Sequence, residues 1–172
     1  MSKETQIFGK GDWVVHNRYG AGQVRGTEVK CISGKEANYY RIETSNSTLW
    51  VPVDQFSHDT FRPVASRSEF KQVLSILKRP PRIMNANFKM RHSRIQKVQS
   101  ENSLQAIARL VRDLWARQSE KSLSDTEQRA LRRFTEHLLA EWAVCMKLEI
   151  DDARQQLHHI LEENQAPCAA AD

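Results

Sequence analysis

Gly11–Val24, GDWVVHNRYGAGQV, is the stretch that decides the N-terminal fold. Asp12 to His16 reads as a short β-branched strand. Gly20 and Gly22 supply the φ > 0 freedom of a tight turn, and Gln23 to Val29 starts the return strand. Outward from this hairpin, residues 8–64 predict about five strands, at 13–16, 23–30, 37–43, 48–53 and 62–64. The loops between them are marked by Gly34-Lys35, Ser45-Asn46-Ser47 and Ser57-His58-Asp59. Five short strands with tight connections suggest an SH3- or Tudor-like barrel. Pro52 then belongs on an edge or at a strand end, since it has no amide to donate to a ladder.

The pattern changes after residue 66. Ser66-Arg67-Ser68-Glu69 is a capping box, followed at helical spacing by Phe70, Val73, Leu74 and Leu77. Pro80-Pro81 ends that helix. A second helix is expected from about Asn87 to Gln99, with Phe88 and Ile95 on one side. A third, from about Ser103 to Gln118, carries the stripe Leu104, Ile107, Ala108, Val111, Leu114 and Trp115. Ser124-Asp125-Thr126-Glu127 is another capping box, opening a helix whose Leu131, Phe134, Leu138, Trp142 and Cys145 share a face. Asp151 or Asp152 is placed to cap a fifth helix bearing Leu157, Ile160 and Leu161. The fold class is therefore α+β: a five-stranded barrel over residues 1–66, an all-α domain of about five helices over 67–164, and a disordered tail over 165–172. All six glycines lie before residue 35, in keeping with that division.

Charge divides the chain differently. Residues 1–61 are neutral, 62–133 carry a net +11, and 134–172 a net −6. Between Glu69 and Glu101 there is no acid at all, while Lys71, Lys78, Arg79, Arg82, Lys89, Arg91, Arg94 and Lys97 are basic. At 100° per residue, Lys89, Arg91, Arg94 and Lys97 fall on one broad helix face, the pattern that phosphates demand. A solvated helix face is the plainer alternative. Phe88 starts that helix among cations; it reads either as a core residue with Ile95 or as an apolar wedge against a base step.

The remaining chemistry is sparse. Cys31, Cys145 and Cys168 are odd in number and far apart, which argues against a disulfide framework or structural zinc. The six histidines (His16, His58, His92, His137, His158 and His159) show no ligand spacing, so no metal or cofactor is expected. No P-loop, G-x-G-x-x-G or G-x-S-x-G is present, and no catalytic site is expected. A hydrolase using Cys31 or Cys145 is the enzymatic rival. No apolar run approaches bilayer length and the N-terminus lacks an apolar leader, so a cytoplasmic protein without membrane contact is expected. Trp115 and Trp142 read as core.

As a string, F-x-x-GD-x-VVH-x-x-YGAG-x-V from Phe8 closely resembles the opening of the CarD/CdnL family of bacterial transcription regulators. That N-terminal domain also occurs in transcription–repair coupling factors, whose helicase motifs are not found here. Tyr39-Tyr40-Arg41-Ile42, Leu49-Trp50-Val51-Pro52-Val53 and Phe61-Arg62-Pro63-Val64 resemble the later barrel strands and their exit. Val111-Arg112-Asp113-Leu114-Trp115, then Leu123-Ser124-x-x-Glu127, resemble the family's VRDLW…LS-x-x-E segment.

The resemblance implies that the barrel binds the β subunit of RNA polymerase, with Lys30 and Trp50 at the contact. For Trp50, strand alternation leaves barrel core equally open. It implies that the helical domain meets promoter DNA, by minor groove and backbone, at the upstream edge of the melted region. Phe88 falls where relatives carry a wedging Trp, with Lys89, Arg91, Arg94, Lys97 and Arg129 beside it in the expected DNA-binding set. The expected function is a monomeric, nucleoid-associated regulator of open-complex stability. An RNA-binding or ribosome-associated SH3-like factor is the alternative.

Overall fold

The computed structural model describes residues 8–57 and 60–165, which divide into two units, 1–64 and 65–172. In the first unit, β1 (Trp13–His16), β2 (Gly20–Ile32), β3 (Lys35–Thr44), β4 (Thr48–Pro52) and β5 (Phe61–Pro63) form one antiparallel sheet in the order β4-β3-β2-β1-β5. This is the Tudor-like arrangement expected. Its inner face buries Phe8, Val14, Val24, Tyr40, Ile42 and Phe61, and Phe56 stacks on Phe61 at 4.3 Å between ring centroids. Pro52 does end an edge strand, and a single 3-10 turn, Val53–Gln55, follows it.

The opening hairpin is right in outline but uses its glycines differently. Of Gly20 and Gly22, only Gly20 takes a positive φ, at 77°, and β2 begins there rather than at Gln23. Gly22 is required for space. It pairs with Val14 on one side and Thr44 on the other, and a Cβ there would sit 2.7 Å from Ile42 Cγ2 and 3.1 Å from the Glu43 carbonyl oxygen. Three strands cross at a point where only a hydrogen fits. Nearby, His16 Nδ1 accepts from the amides of Arg18 and Tyr19 at 2.9 and 3.3 Å. Burial, and then the charge of Arg18, hold this imidazole below its ordinary pKa.

The second unit packs α1 (Arg67–Leu77), α2 (Phe88–Glu101), α3 (Leu104–Glu120), α4 (Asp125–Met146) and α5 (Ile150–Glu163) around one core. Both capping boxes form as the sequence requires, at Ser66/Glu69 and Ser124/Glu127. Phe70 meets Trp142 at 5.3 Å in the centre, while Trp115 is only partly buried, edge-on to His158. Glu141, itself buried, accepts the Ala65 amide at 2.8 Å and so holds the start of this unit onto α4. The fifth helix departs from expectation. It starts at Ile150, Glu149 occupies the cap position without a side-chain bond, and Asp151 and Asp152 lie inside the first turn. Lys147, left-handed at φ 56°, ends α4, and α5 starts three residues later, before either aspartate is reached. Their charges still oppose the positive end of the helix dipole. The His58-Asp59 loop and the tail beyond Gln165 lie outside the described residues.

Gly22→Ala should destabilise the barrel by about 1–3 kcal/mol, the usual cost of overpacking a filled site. Gly9→Ala, whose added Cβ would meet its nearest atom at an ordinary 3.7 Å, should cost little. Urea unfolding, with hydrogen exchange read on the barrel amides, distinguishes the two.

Candidate nucleic-acid and polymerase interfaces

The basic tract does not form one solvated face. Lys89 and Lys97 are exposed, and Lys97 makes only a surface pair with Glu101 at 3.7 Å. Arg91 is buried, 7 % exposed. Its Nε donates to Glu127 Oε1 at 2.5 Å, and its Nη1 donates to the carbonyls of Asn85 and Ala86 at 3.0 and 2.7 Å. Arg94 is half-buried, with Nη2 on Asp113 Oδ2 at 2.6 Å. The expectation of a shared exposed face thus fails for Arg91. The signal was present: Arg91, Ile95 and Val98 stand at i, i+4 and i+7, and all three are buried.

Two interior carboxylates organise this end of the unit, and sequence reasoning singled out neither as a site residue. Asp113, on α3, accepts the Arg82 amide and Arg112 Nε on Oδ1, both at 2.9 Å, and Arg94 on Oδ2. Arg112 in turn donates from Nη1 to the Ile76 carbonyl at 3.1 Å. Glu127, the third residue of α4, accepts Arg91 on Oε1, and on Oε2 both the amide and the hydroxyl of Ser124 at 3.0 and 2.8 Å. Arg117 lies 3.4 Å from Oε1, an ion pair without hydrogen-bond geometry. Burial pushes the Glu127 carboxyl up, but the Ser124 and Arg91 hydrogen bonds outweigh it, and its pKa is lowered. Asp113 and Glu127 are the acids of the VRDLW and LS-x-x-E motifs, so both motifs serve to hold the segment entering α2.

That segment carries Phe88. Asn87 caps α2, its side chain accepting the Lys89 amide at 2.8 Å. Phe88 then projects 47 % exposed, lying over His92 at 6.1 Å, with Arg91 Cζ 5.8 Å from its ring centroid. It is not a core residue and shares no buried face with Ile95. Seven residues place both at nearly the same angle, but about 10.5 Å apart along the axis, and Phe88 overhangs the end of the core. Arg129 stands apart on α4, exposed, with Nε donating to the Asp125 carbonyl at 3.3 Å. It lies roughly 200° around the helix from Glu127.

In the barrel, alternation puts Leu49 and Val51 against the core and Trp50 on the outer face. Lys30 Nζ rests 3.2 Å from the Trp50 ring centroid, so the two expected contact residues form one cation–π pair beside the edge strand. Arg41, opposite Trp50, is tied to Glu43 at 2.8 Å and Glu28 at 3.7 Å. Cys31 is exposed on β2. Burial pushes the Cys145 thiol up, away from the thiolate that a nucleophile needs. Among the described residues no cluster of three or more His, Cys, Asp and Glu could hold a metal, and no helix is long and apolar enough to cross a membrane.

The arrangement is a Tudor-like sheet with an aromatic outer face, and a basic helical unit presenting an exposed aromatic on a pinned segment. Residues 8–65 match the CarD-like/TRCF RID domain, and residues 72–158 match the CarD C-terminal domain. The chain belongs to the CarD-like family of transcription regulators, non-enzymatic factors that act through RNA polymerase. It is also similar to the "Putative transcription factor YdeB" of Bacillus subtilis (strain 168), 27 % identical over 140 residues, which cover 80 % of this chain and 92 % of that one.

Above about pH 4.5 Glu127 is ionised in both folded and unfolded chains, and its stabilising bonds are complete. As pH falls the unfolded chain takes up this proton first, so the contribution fades as pH drops through the lower folded value. Glu127→Gln should therefore cost about 3–5 kcal/mol at neutral pH, since it leaves Arg91 buried without its counter-charge. It should also flatten the acid dependence of helical-unit unfolding. Thermal melts across the acid range test both statements.

Proposed function

We propose that this protein binds the β subunit of bacterial RNA polymerase through its barrel and contacts promoter DNA at the upstream edge of the melted region through its helical unit, thereby setting open-complex stability. The observation that carries the reading is Phe88: a half-exposed aromatic at the start of a helix, within a 31-residue tract free of acids. Membership of the CarD-like family supports the polymerase contact.

Phe88 is the wedge, Lys89 and Lys97 meet phosphates beside it, and Arg129 does so from α4. Arg94 takes part only with the half of its guanidinium that Asp113 leaves free. Arg91 acts by holding the segment and does not touch DNA. Inserting a ring into intact duplex costs a few kcal/mol of unstacking per step, whereas the edge of a bubble has already lost that stacking. The factor therefore binds the melted state better than the closed one, and the equilibrium shifts by that difference. Phenylalanine can stack, but it offers no N–H for a hydrogen bond. The protein acts as a monomer in the cytoplasm, held at the nucleoid by polymerase.

Replacing Lys30 and Trp50 together by Ala should weaken co-purification with core polymerase while leaving the barrel folded, because both side chains lie outside its core. Normal recovery of polymerase would show that the contact lies on another edge. Recovery of ribosomes instead would favour the RNA-binding alternative. Phe88→Ala should shift the helical unit's stability by less than about 0.5 kcal/mol, as surface changes do, yet shorten open-complex lifetime. Phe88→Trp should restore or lengthen that lifetime, because the larger ring covers more base surface. A large fall in melting temperature for Phe88→Ala would sink the wedge assignment.

A further inference from the structure

We propose that Ile83 is a second apolar contact to DNA, working with Phe88 so that the segment between α1 and α2 grips the minor groove at two points; this rests on the reading of Phe88 given above. Ile83 is 96 % exposed, more than any other large apolar side chain among the described residues. A lone exposed aliphatic usually needs no explanation. This one differs because the backbone around it is fixed. On one side the Arg82 amide is held by Asp113 Oδ1 at 2.9 Å, and on the other Met84 is buried in the core. Beyond Met84, the Asn85 and Ala86 carbonyls are held by Arg91, and the Asn87 amide donates to Asn85 Oδ1 at 2.8 Å. Ile83 is thus presented outward by a segment tied down on both sides, and its β-branched side chain has few rotamers to lose on binding.

The surroundings select the partner. Lys78, Arg79, Arg82 and Lys89 are all exposed, no Asp or Glu occurs from residue 70 to residue 100, and Glu120 is the one exposed acid lining the pocket that Ile83 shares with Arg82 and Arg117. A second copy of this chain would bring the same cations against one another, so this surface does not suit self-association. A polyanion with apolar sugar edges suits it, and duplex DNA viewed along the minor groove is such a surface. Isoleucine is among the side chains that serve as wedges there. Five residues of chain reach at most about 18 Å, so Ile83 and Phe88 touch sites no more than about five base-pair rises apart. Phe88 meets the frayed edge, and Ile83 meets duplex upstream of it.

The test uses the full chain with polymerase holoenzyme on a promoter whose open complex the wild type prolongs. Ile83→Ser should shorten open-complex lifetime roughly 3- to 10-fold, the scale of losing one partly buried aliphatic contact. Ile83→Leu should retain most of the effect, and neither change should move the melting temperature. A photoreactive p-benzoylphenylalanine at position 83 should crosslink to DNA strands upstream of the bubble. If Phe88→Ala shortens the lifetime and Ile83→Ser does not, this inference fails while the proposed function stands. If neither variant changes it, the wedge reading falls and takes the second contact with it. Crosslinking to polymerase alone, or to lipid in vesicles of anionic composition but not to DNA, would also overturn the proposal.

Discussion

Two carboxylates without access to water set the form of the end of the helical unit where α2 begins. Asp113 and Glu127 are each 1 % exposed, and an isolated charge so placed would not be tolerated. Each must gather donors, and besides neighbours on their own helices these lie on α2 and on the chain leading into it. Asp113 draws in the Arg82 amide, Arg94 and Arg112; Glu127 draws in Arg91 and its own capping serine. Arg91 then donates from Nη1 to two carbonyls of the entering segment. Buried pairs of this kind add little net stability over an apolar core, but losing one partner is expensive. Their service is geometric: an otherwise irregular connection has one conformation.

That rigidity gives the proposed mechanism its leverage. A wedge on a floppy loop would lose conformational entropy on contacting DNA, and the loss would offset the difference between melted and closed states. With the segment tied to α3 and α4, Phe88 is held in place by the fold itself. Basic residues are accordingly divided between two tasks. Arg91, Arg112 and most of Arg94 are inward and structural, while Lys89 and Lys97 remain outward.

The barrel solves a different problem with different means. Its sheet is held by the convergence of β1, β2 and β3 at Gly22, where no side chain fits, and by a small aromatic core around Phe8, Phe56 and Phe61. With the inner face filled, Trp50 is left on the outer face, with Lys30 Nζ 3.2 Å and Arg41 Cζ 5.9 Å from its ring centroid. An aromatic with one face capped by a cation suits an exchangeable contact, because the ammonium is easily displaced by a partner.

Much of this could be read from residue order. Local rules specified the five strands, both capping boxes, the Asn87 start of α2 and the charge asymmetry, because each depends on neighbours within a few positions. The GDWVVHNRYGAG and VRDLW strings carried the family resemblance. What only the tertiary structure decided were matters of distance between remote segments. Periodicity assigned Phe88 and Ile95 the same angle but could not say where along α2 the core stops. Counting charges placed Arg91 among the phosphate-seeking residues, since its partner Glu127 comes 36 positions later on another helix. Gly22 looked like a turn residue until Thr44 closed in from β3. Helical and strand periods are set by local backbone geometry, whereas burial and charge pairing are set by which elements meet, and that is settled only when the chain has folded.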